Sequence, residues 1–320
     1  MTSKILFSTL AIASILSAAS TSCGGIYYGN NAPDILNPKL TPKTKELCYS
    51  EFAVMHSGLS RTPLWSAEHL YGSKLNIKVE RSNDFHPEER LNSDERAELS
   101  DYARSGYDRG HMSPARDFNT PQSESECFTL ANMVPQDHDN NTKLWSGIEE
   151  ATRTLAKQKG ELYVITGPIF IGTNLQRIGG RVLVPTKIFK AIYDPSSNQG
   201  AAYLVNNAPG NEYQEINIAQ LEQLTNIRIF PKMAAISKQT PMPLPSPQMH
   251  GKDLANMNSS LPVPAPKTVK PSASLKEQCG TKHTCKEMTS CEEATFYFTQ
   301  CHEAHLDGDG DGKPCNKLCK

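Results

Sequence analysis

The four residues Asp108-Arg109-Gly110-His111 put an acid, a guanidinium and an imidazole into one short stretch. A neutral imidazole with a pKa near the working pH can take a proton from water, provided its ring is held in place. A guanidinium offers a planar fork that fits two phosphate oxygens and stays charged at any working pH. If the stretch is a strand, Arg109 and His111 share one of its faces. Asn132, Asn141 and Glu149 follow downstream. An amide oxygen is a hard neutral donor, suited to a Mg2+ ion that keeps most of its octahedron for water and phosphate oxygen. Trp145 and Glu149 follow Asn141 at four-residue steps, which places the three on one stripe of a helix. Each has a plainer explanation when read alone. A single histidine is more often structural, Asn141 suits the N-cap of a helix starting at Thr142, Trp145 suits core packing, and Asp108 reads as structural.

Together the residues say more. In order, Tyr107-Asp-Arg-Gly-His-Met112, Leu130-Ala-Asn-Met-Val-Pro-Gln136, Asp139-Asn-Asn141 and Leu144-Trp-Ser-Gly-Ile-Glu149 resemble the DNA/RNA non-specific endonuclease family, with its DRGH signature. The likeness runs from about Leu47 to about Pro231 and includes Arg61-Thr-Pro-Leu-Trp65, Thr166-Gly-Pro168 and Val184-Pro-Thr186. It implies the ββα-metal nuclease fold and phosphodiester hydrolysis with one Mg2+, for which Mn2+ can substitute. It implies His111 as general base and Asn141 as the protein's ligand to the metal. Glu149 would orient metal-bound water, and Asn132 would support the site. Arg109 and Arg81 match the family's phosphate-binding arginines, with Arg90 and Arg104 as alternatives to Arg81. DNA and RNA would both be substrates, held through the backbone. No recognition helix, finger or RNA-binding aromatic pair is legible, and backbone recognition discriminates poorly between the two.

Several elements must position these residues. Glu51 to Leu59 reads as a strand leading to Arg61, whereas Ser66 to Leu70 alternates imperfectly and is ambiguous. Ser93 to Leu99 reads as a short capped helix. Thr142 to Lys159 is the clearest helix, with Leu144, Ile148, Ala151 and Leu155 at helical spacing and Gly160 as its stop. Leu162 to Ile165, Val182 to Val184, Ile188 to Tyr193 and Ala201 to Val205 read as strands, and Ile218 to Leu224 as a short helix. The expected class is α+β with a mostly antiparallel sheet.

The rest of the chain bounds the setting. Its 320 residues leave room for one large domain and extras, and its formal net charge of −1 requires any phosphate-binding surface to be local. Lys4, the apolar run Ile5 to Ala19 and Ser20 to Ser22 read as a secretory signal over 1–22, too short to span a membrane comfortably. Nine cysteines fit an exported, oxidising setting. Cys23 with Cys48 is the favoured pair, leaving Cys127 free. Cys48 with Cys127 is the rival pairing, and a lipid on Cys23 is a further option. Residues 23–46 read as an extended arm. Residues 232–278 hold eight Pro, six Lys and no aromatic residue, and read as a disordered or extended basic linker.

Residues 279–320 carry six cysteines, enough for three disulfides. Cys285 to Cys291, Glu293-Ala-Thr-Phe-Tyr297 and Leu306 to Gly312 with Cys315 resemble the Excalibur family of extracellular calcium-binding domains. Asp307, Asp309 and Asp311 match positions 1, 3 and 5 of an EF-hand loop, with Gly312 at the turn. Two departures weaken the match: Asn316 stands where the family usually has Glu, and a full 12-residue loop would put Leu318 at its closing ligand. The resulting expectation is a secreted or periplasmic endonuclease with a tethered tail, Ca2+ in that tail and possible cell-envelope contact through it. The alternative is a non-catalytic envelope- or calcium-binding protein that uses the nuclease fold as scaffold. A third reading is a toxin or competence nuclease with an inhibitor partner. Oligomeric state is left open.

Overall fold

The computed structural model describes residues 21–249 and, in the tail, 282–299, 301, 303–307 and 314–319. Residues 1–20 of the expected signal, 250–278 of the expected linker and 279–281 of the tail lie outside the described residues. Thirteen strands among them form the framework: β1 (Asp34–Ile35), β2 (Thr44–Cys48), β3 (Phe52–Ser57), β4 (Thr62–Tyr71), β5 (Asp108–His111), β6 (Met133–Gln136), β7 (Glu161–Ile169), β8 (Arg177–Ile178), β9 (Val182–Leu183), β10 (Lys187–Asp194), β11 (Gln199–Asn206), β12 (Tyr213–Ile216) and β13 (Ile227–Arg228). The helices are α1 (Leu99–Tyr102), α2 (Pro121–Glu126), α3 (Ser146–Lys159), α4 (Ile218–Thr225), α5 (Ala235–Gln239) and, in the tail, α6 (Cys291–Thr299). Seven strands make one sheet in the order β12-β11-β10-β7-β4-β3-β2, antiparallel throughout. The expected α+β class with an antiparallel sheet is what the chain forms.

Both faces of that sheet are covered. On one, Tyr27, Trp65, Ala67, Ile165, Phe189, Ala191 and Tyr193 pack with Leu221 of α4. On the other, Leu70, Leu162, Val164, Ile188 and Ile192 meet Trp145, Ile148 and Leu155. Adjacent positions along a strand therefore serve different cores, and both want apolar side chains. This is why Ser66 to Leu70 does not alternate cleanly, although it lies inside the ten-residue strand β4. Burying one large apolar side chain stabilises by about 1.5–3 kcal/mol, so strands sandwiched this way are the stable base from which the site is built.

Three expectations need correction, and the favoured cysteine pairing stands. The arm over 23–46 is part of the folded unit: Tyr27 is buried, β1 pairs with β13, and β2 is an edge strand of the sheet. Cys23 is disulfide-bonded to Cys48, which leaves it no sulfur for a lipid, and Cys127 is a free, buried thiol. The helix expected over Ser93 to Leu99 is only α1, with Glu98 and Asp101 forming its capping box. Backbone oxygens of Ser93, Asp94, Glu95 and Arg96 instead accept from Arg181, Arg61, His56 and Arg181 side chains, which holds that stretch out of the helix. The described start of the linker, 232–249, is packed rather than free. Met242 and Leu244 are buried in the same core as Trp145 and Ile148, the Tyr203 hydroxyl donates to the Pro245 carbonyl, and Met242 N donates to Gly200 O. With no aromatic residue to mark it, this strap anchors through two aliphatic side chains and backbone bonds.

The tail is a separate unit. Met288, Ala294, Tyr297, Leu306 and Cys315 form its small core, and the disulfides Cys285–Cys315 and Cys291–Cys319 close it. The Glu287 carboxylate accepts from the His283 and Thr284 backbones. Of the calcium-ligand candidates, Asp307 follows the turn Ala304–Leu306, whereas Asp309 and Asp311 lie outside the described residues.

Candidate active site

The β5–β6 hairpin lies apart from the large sheet and carries the DRGH stretch, with Asp108, Arg109, Gly110 and His111 opposite Gln136, Pro135, Val134 and Met133. The glycine is required by packing. A Cβ at Gly110 would lie 2.0 Å from Gln136 Oε1 and 2.6 Å from Gln136 Cβ. Gln136 uses the space to cross the hairpin, and its Nε2 donates to Asn140 Oδ1 at 2.8 Å. In this way the hairpin grips the start of the helical segment that bears the other site residues.

That segment departs from the expected geometry. Asn141 is not an N-cap. The Asp137 carboxylate accepts from Asn140 N at 2.9 Å, and Asn141 N donates to Asp137 O, so the helical turn begins earlier. Asn140–Trp145 is a π-helical turn that runs into α3. The wider turn breaks the expected common stripe: Trp145 is driven into the core, fully buried, while Asn141, Thr142, Ser146, Glu149 and Arg153 line a cavity. One-turn π insertions of this kind recur at functional sites because they re-aim side chains without ending the helix.

The cavity has a volume of about 890 Å³. Five arginines line it (Arg81, Arg104, Arg109, Arg116 and Arg153) against two acids, Asp108 and Glu149. A chain of net charge −1 thus concentrates positive charge at one place, as phosphate binding requires. Of the arginines weighed for phosphate contact, Arg81 and Arg104 are here. Arg90 is not: both ends of its fork hold Glu88 at 2.8 Å, and it lies over the Tyr49 ring. Sequence reading missed Arg116 and Arg153. Arg153 stands one helical turn beyond Glu149, a spacing that could have flagged it, and pairs with Asp117 at 3.0 Å.

His111 is buried at the cavity wall, and its Nε2 has no hydrogen-bond partner. The Phe128 ring meets it edge to face at 4.9 Å. Burial, with Arg81 and Arg109 nearby, pushes its pKa down to about 3, so the imidazole is neutral, with an unprotonated nitrogen, throughout the physiological range. Asn141 Nδ2 donates to Asp108 Oδ2 at 2.9 Å, which leaves Oδ1 as the side-chain atom available to a cation. His138 Nδ1 holds the same carboxylate oxygen at 2.9 Å. Asp108 therefore orients the amide, which a purely structural reading did not foresee. Glu149 lies on the same wall. Burial raises its pKa to about 7 against the pull of Arg153 and Lys190. An amide oxygen beside one ionisable carboxylate fits a hard divalent cation that retains much of its water. Asn132 does not line the cavity. It is fully buried, exchanges hydrogen bonds with the Ser113 backbone and donates to Cys127 O, fixing the chain just past His111. Glu68, wholly buried on β4, is held well above the usual carboxylate range by burial and by Asp117, with Lys190 opposing.

Comparison with known proteins adds the decisive observation. Residues 31–235 match the family model for DNA/RNA non-specific endonucleases. The chain belongs to this family. Residues 282–315 match the Excalibur calcium-binding domain. The mitochondrial nuclease EXOG of Danio rerio is 33% identical over 213 residues, covering 60% of this chain and 61% of that protein. The human counterpart is 30% identical over 213 residues, covering 59% and 58%. The chain thus spans about three fifths of the length of these relatives. Nuclease C1 of Cunninghamella echinulata is 29% identical over 204 residues, covering 57% of this chain and 81% of that protein. Among solved structures, an EndoG/EndoGI complex, described as showing the mechanism of EndoG inhibition, aligns with a TM-score of 0.57 and 27% identity over 61% of this chain and 89% of that one. The family match begins before Leu47 and ends past Pro231, in step with the strands β1 and β2 that the structure adds at the front.

Proposed function

We propose that this chain is an exported, metal-dependent endonuclease that hydrolyses DNA and RNA with little sequence or sugar specificity. The observation that carries the reading is one cavity holding five arginines, an unpartnered buried imidazole and an amide oxygen set by Asp108. Arg109 and Arg81 hold the phosphate, and the surrounding arginines offset its charge. His111 Nε2 takes the proton from the attacking water. Asn141 and Glu149 would hold the metal, directly and through its waters respectively. Bound there, Mg2+ would supply Lewis-acid stabilisation of the phosphoryl oxygens and acidify a coordinated water. Export is supported by the charged and apolar N-terminal run and by the Cys23–Cys48 disulfide, a bond at home outside the reducing cytosol. Calcium in the tail is a further part of the reading.

The test is cleavage by purified protein of supercoiled plasmid, single-stranded DNA and RNA, in EDTA and after Mg2+, Mn2+ or Ca2+ is restored. Cleavage of all three substrates that EDTA abolishes and Mg2+ restores is the expected result. Full activity in EDTA would overturn the metal assignment. Inertness on every substrate with every metal would favour the non-catalytic scaffold reading.

A further inference from the structure

Phe85 and Phe128 take no part in the chemistry described so far, yet they touch its main charged groups. Phe85 lies in the extended stretch before α1. Its chain is stapled to the Phe128 segment by the His86–Thr129 bridge, with Leu130 N donating to His86 O at 2.8 Å and His86 N to Phe128 O at 3.3 Å. The two rings meet edge to face with centroids 4.8 Å apart. The Arg109 guanidinium carbon lies 4.1 Å from the Phe85 centroid, and that of Arg81 lies 4.8 Å from the Phe128 centroid. His111 stands perpendicular to Phe128 at 4.9 Å and tilted to Phe85 at 5.8 Å.

The contrast with other arginines is informative. Arg90, Arg96, Arg153, Arg181 and Arg228 each face a carboxylate. Among the described residues Arg81 and Arg109 share the lack of such a partner with Arg61, Arg104, Arg116 and Arg177, but of these six only Arg81 and Arg109 lie over an aromatic ring. Arg81 Nε donates to Asn83 Oδ1 at 2.8 Å, and each guanidinium carbon lies over the face of a ring. A carboxylate would orient a guanidinium but would also neutralise it, occupy its N–H donors and repel an incoming phosphate. The negative face of an aromatic ring attracts the cation and leaves its edge donors and full charge for the ligand.

We propose that Phe85 and Phe128 form an aromatic cradle that sets Arg109, Arg81 and His111 in place for the scissile phosphate, which makes both phenylalanines positioning residues. The proposal rests on the nuclease reading and deepens it. Phe128 is fully buried and serves two partners, Arg81 and His111; Phe85 is only partly buried and serves Arg109 most directly. Loss of the Phe85 ring should therefore be felt through Arg109, with little demand on the core.

A double-mutant cycle on the full chain tests this, using Phe85→Leu and Arg109→Ala and reading kcat/KM on a single-stranded DNA oligonucleotide with Mg2+ and Kd for the same oligonucleotide in EDTA. Phe85→Leu should lower kcat/KM about tenfold, the scale of one partly desolvated cation–π contact. Phe85→Tyr, which keeps the ring face, should restore most of that loss. In the Arg109→Ala background Phe85→Leu should cost no more than about twofold. Costs that multiply, or a Phe85→Leu enzyme within about twofold of wild type, would overturn the proposal. If thermal melting shows that Leu unfolds the site, Phe85→Met takes its place in the cycle. A wild-type chain that binds the oligonucleotide but never cleaves it overturns the nuclease reading alone, and the cycle read in Kd still decides the cradle. A chain that does neither overturns both.

Discussion

At the residue scale, His111 combines burial, an unpartnered Nε2 and a depressed pKa. Its replacement by Ala should lower kcat by about 10²–10⁴ while oligonucleotide Kd changes little, because on the proposed function the arginines would hold the phosphate. Activity within a few-fold of wild type would remove His111 from the reaction. The same burial sets a pH dependence of stability. Its pKa falls from 6.5 to about 3 on folding, so the unfolded chain takes the proton first. The residue costs no stability above pH 6.5, and each unit below that removes about 1.4 kcal/mol until the folded pKa is reached. Glu149 runs the other way: raised from 4.5 to about 7, it costs stability as pH rises across that interval. Urea titrations of wild type and His111→Asn at pH 7 and at pH 4.5 separate the two, since the variant keeps the Glu149 effect. The variant should lose about 2.5 kcal/mol less than wild type between those values, and equal losses would refute the assignment. A third expectation concerns Asp108. Asp108→Ala should raise the Mg2+ concentration for half-maximal cleavage much as Asn141→Ala does, because without the carboxylate the amide turns freely. An unchanged Mg2+ requirement would mean that Asn141 needs no such hold.

At the element scale, the helical segment 140–159 is gripped from two sides. Gln136 holds its start, and the strap 241–248 lies along its back. Gly147 marks how close the strap comes: a Cβ there would sit 2.2 Å from Gln248 O. Gly147→Ala should therefore destabilise the full chain by about 1–3 kcal/mol through overpacking. In a chain ending at residue 240, the same change should be neutral or stabilising by up to about 1 kcal/mol, the ordinary gain of Ala over Gly in a helix. Chemical denaturation of the four proteins checks this, and a Gly147→Ala effect independent of the strap would dismiss the contact. Ending the chain at residue 240 should also lower stability outright, because Met242 and Leu244 leave the core around Trp145.

At the scale of the whole molecule, the nuclease unit and the tail are separate compact units. Ending the chain after residue 249 should leave cleavage within about twofold of the full chain, since every cavity-lining residue and the strap remain. A large loss would show that the two units are coupled. The tail should respond to calcium on its own account. With three aspartates and no closing bidentate glutamate, its dissociation constant should fall near 10⁻⁴–10⁻³ M, roughly the weak extracellular range. Calcium at one to ten times that value should then stabilise the oxidised tail by about 0.4–1.4 kcal/mol. Calorimetric titration and thermal melting of residues 279–320 decide the matter, and no heat and no shift at about 10 mM would leave an acidic turn without a metal.

The sequence by itself determined the family and the antiparallel α+β class, named His111, Arg109, Asn141 and Glu149 as candidates, and favoured Cys23–Cys48 over the rival pairing. The class follows from side-chain patterning, and the family and the candidates from the resemblance of short motifs in a fixed order, all of which a linear chain displays directly. Only the tertiary structure decided how those residues are aimed. The π turn that sends Trp145 inward and Asn141 outward follows from the grip of Gln136 and Asp137, and nothing in the local pattern encodes it. The same holds for Asp108 beneath Asn141, for Arg153 and Arg116 in the cavity, and for the rings under Arg81 and Arg109. The strap was misread because its composition lacks the aromatic anchors that usually mark a packed segment. Two aliphatic side chains in a waiting groove were enough, and the groove belongs to residues far away in the chain. Contacts of that range depend on the partner surface as much as on the segment itself.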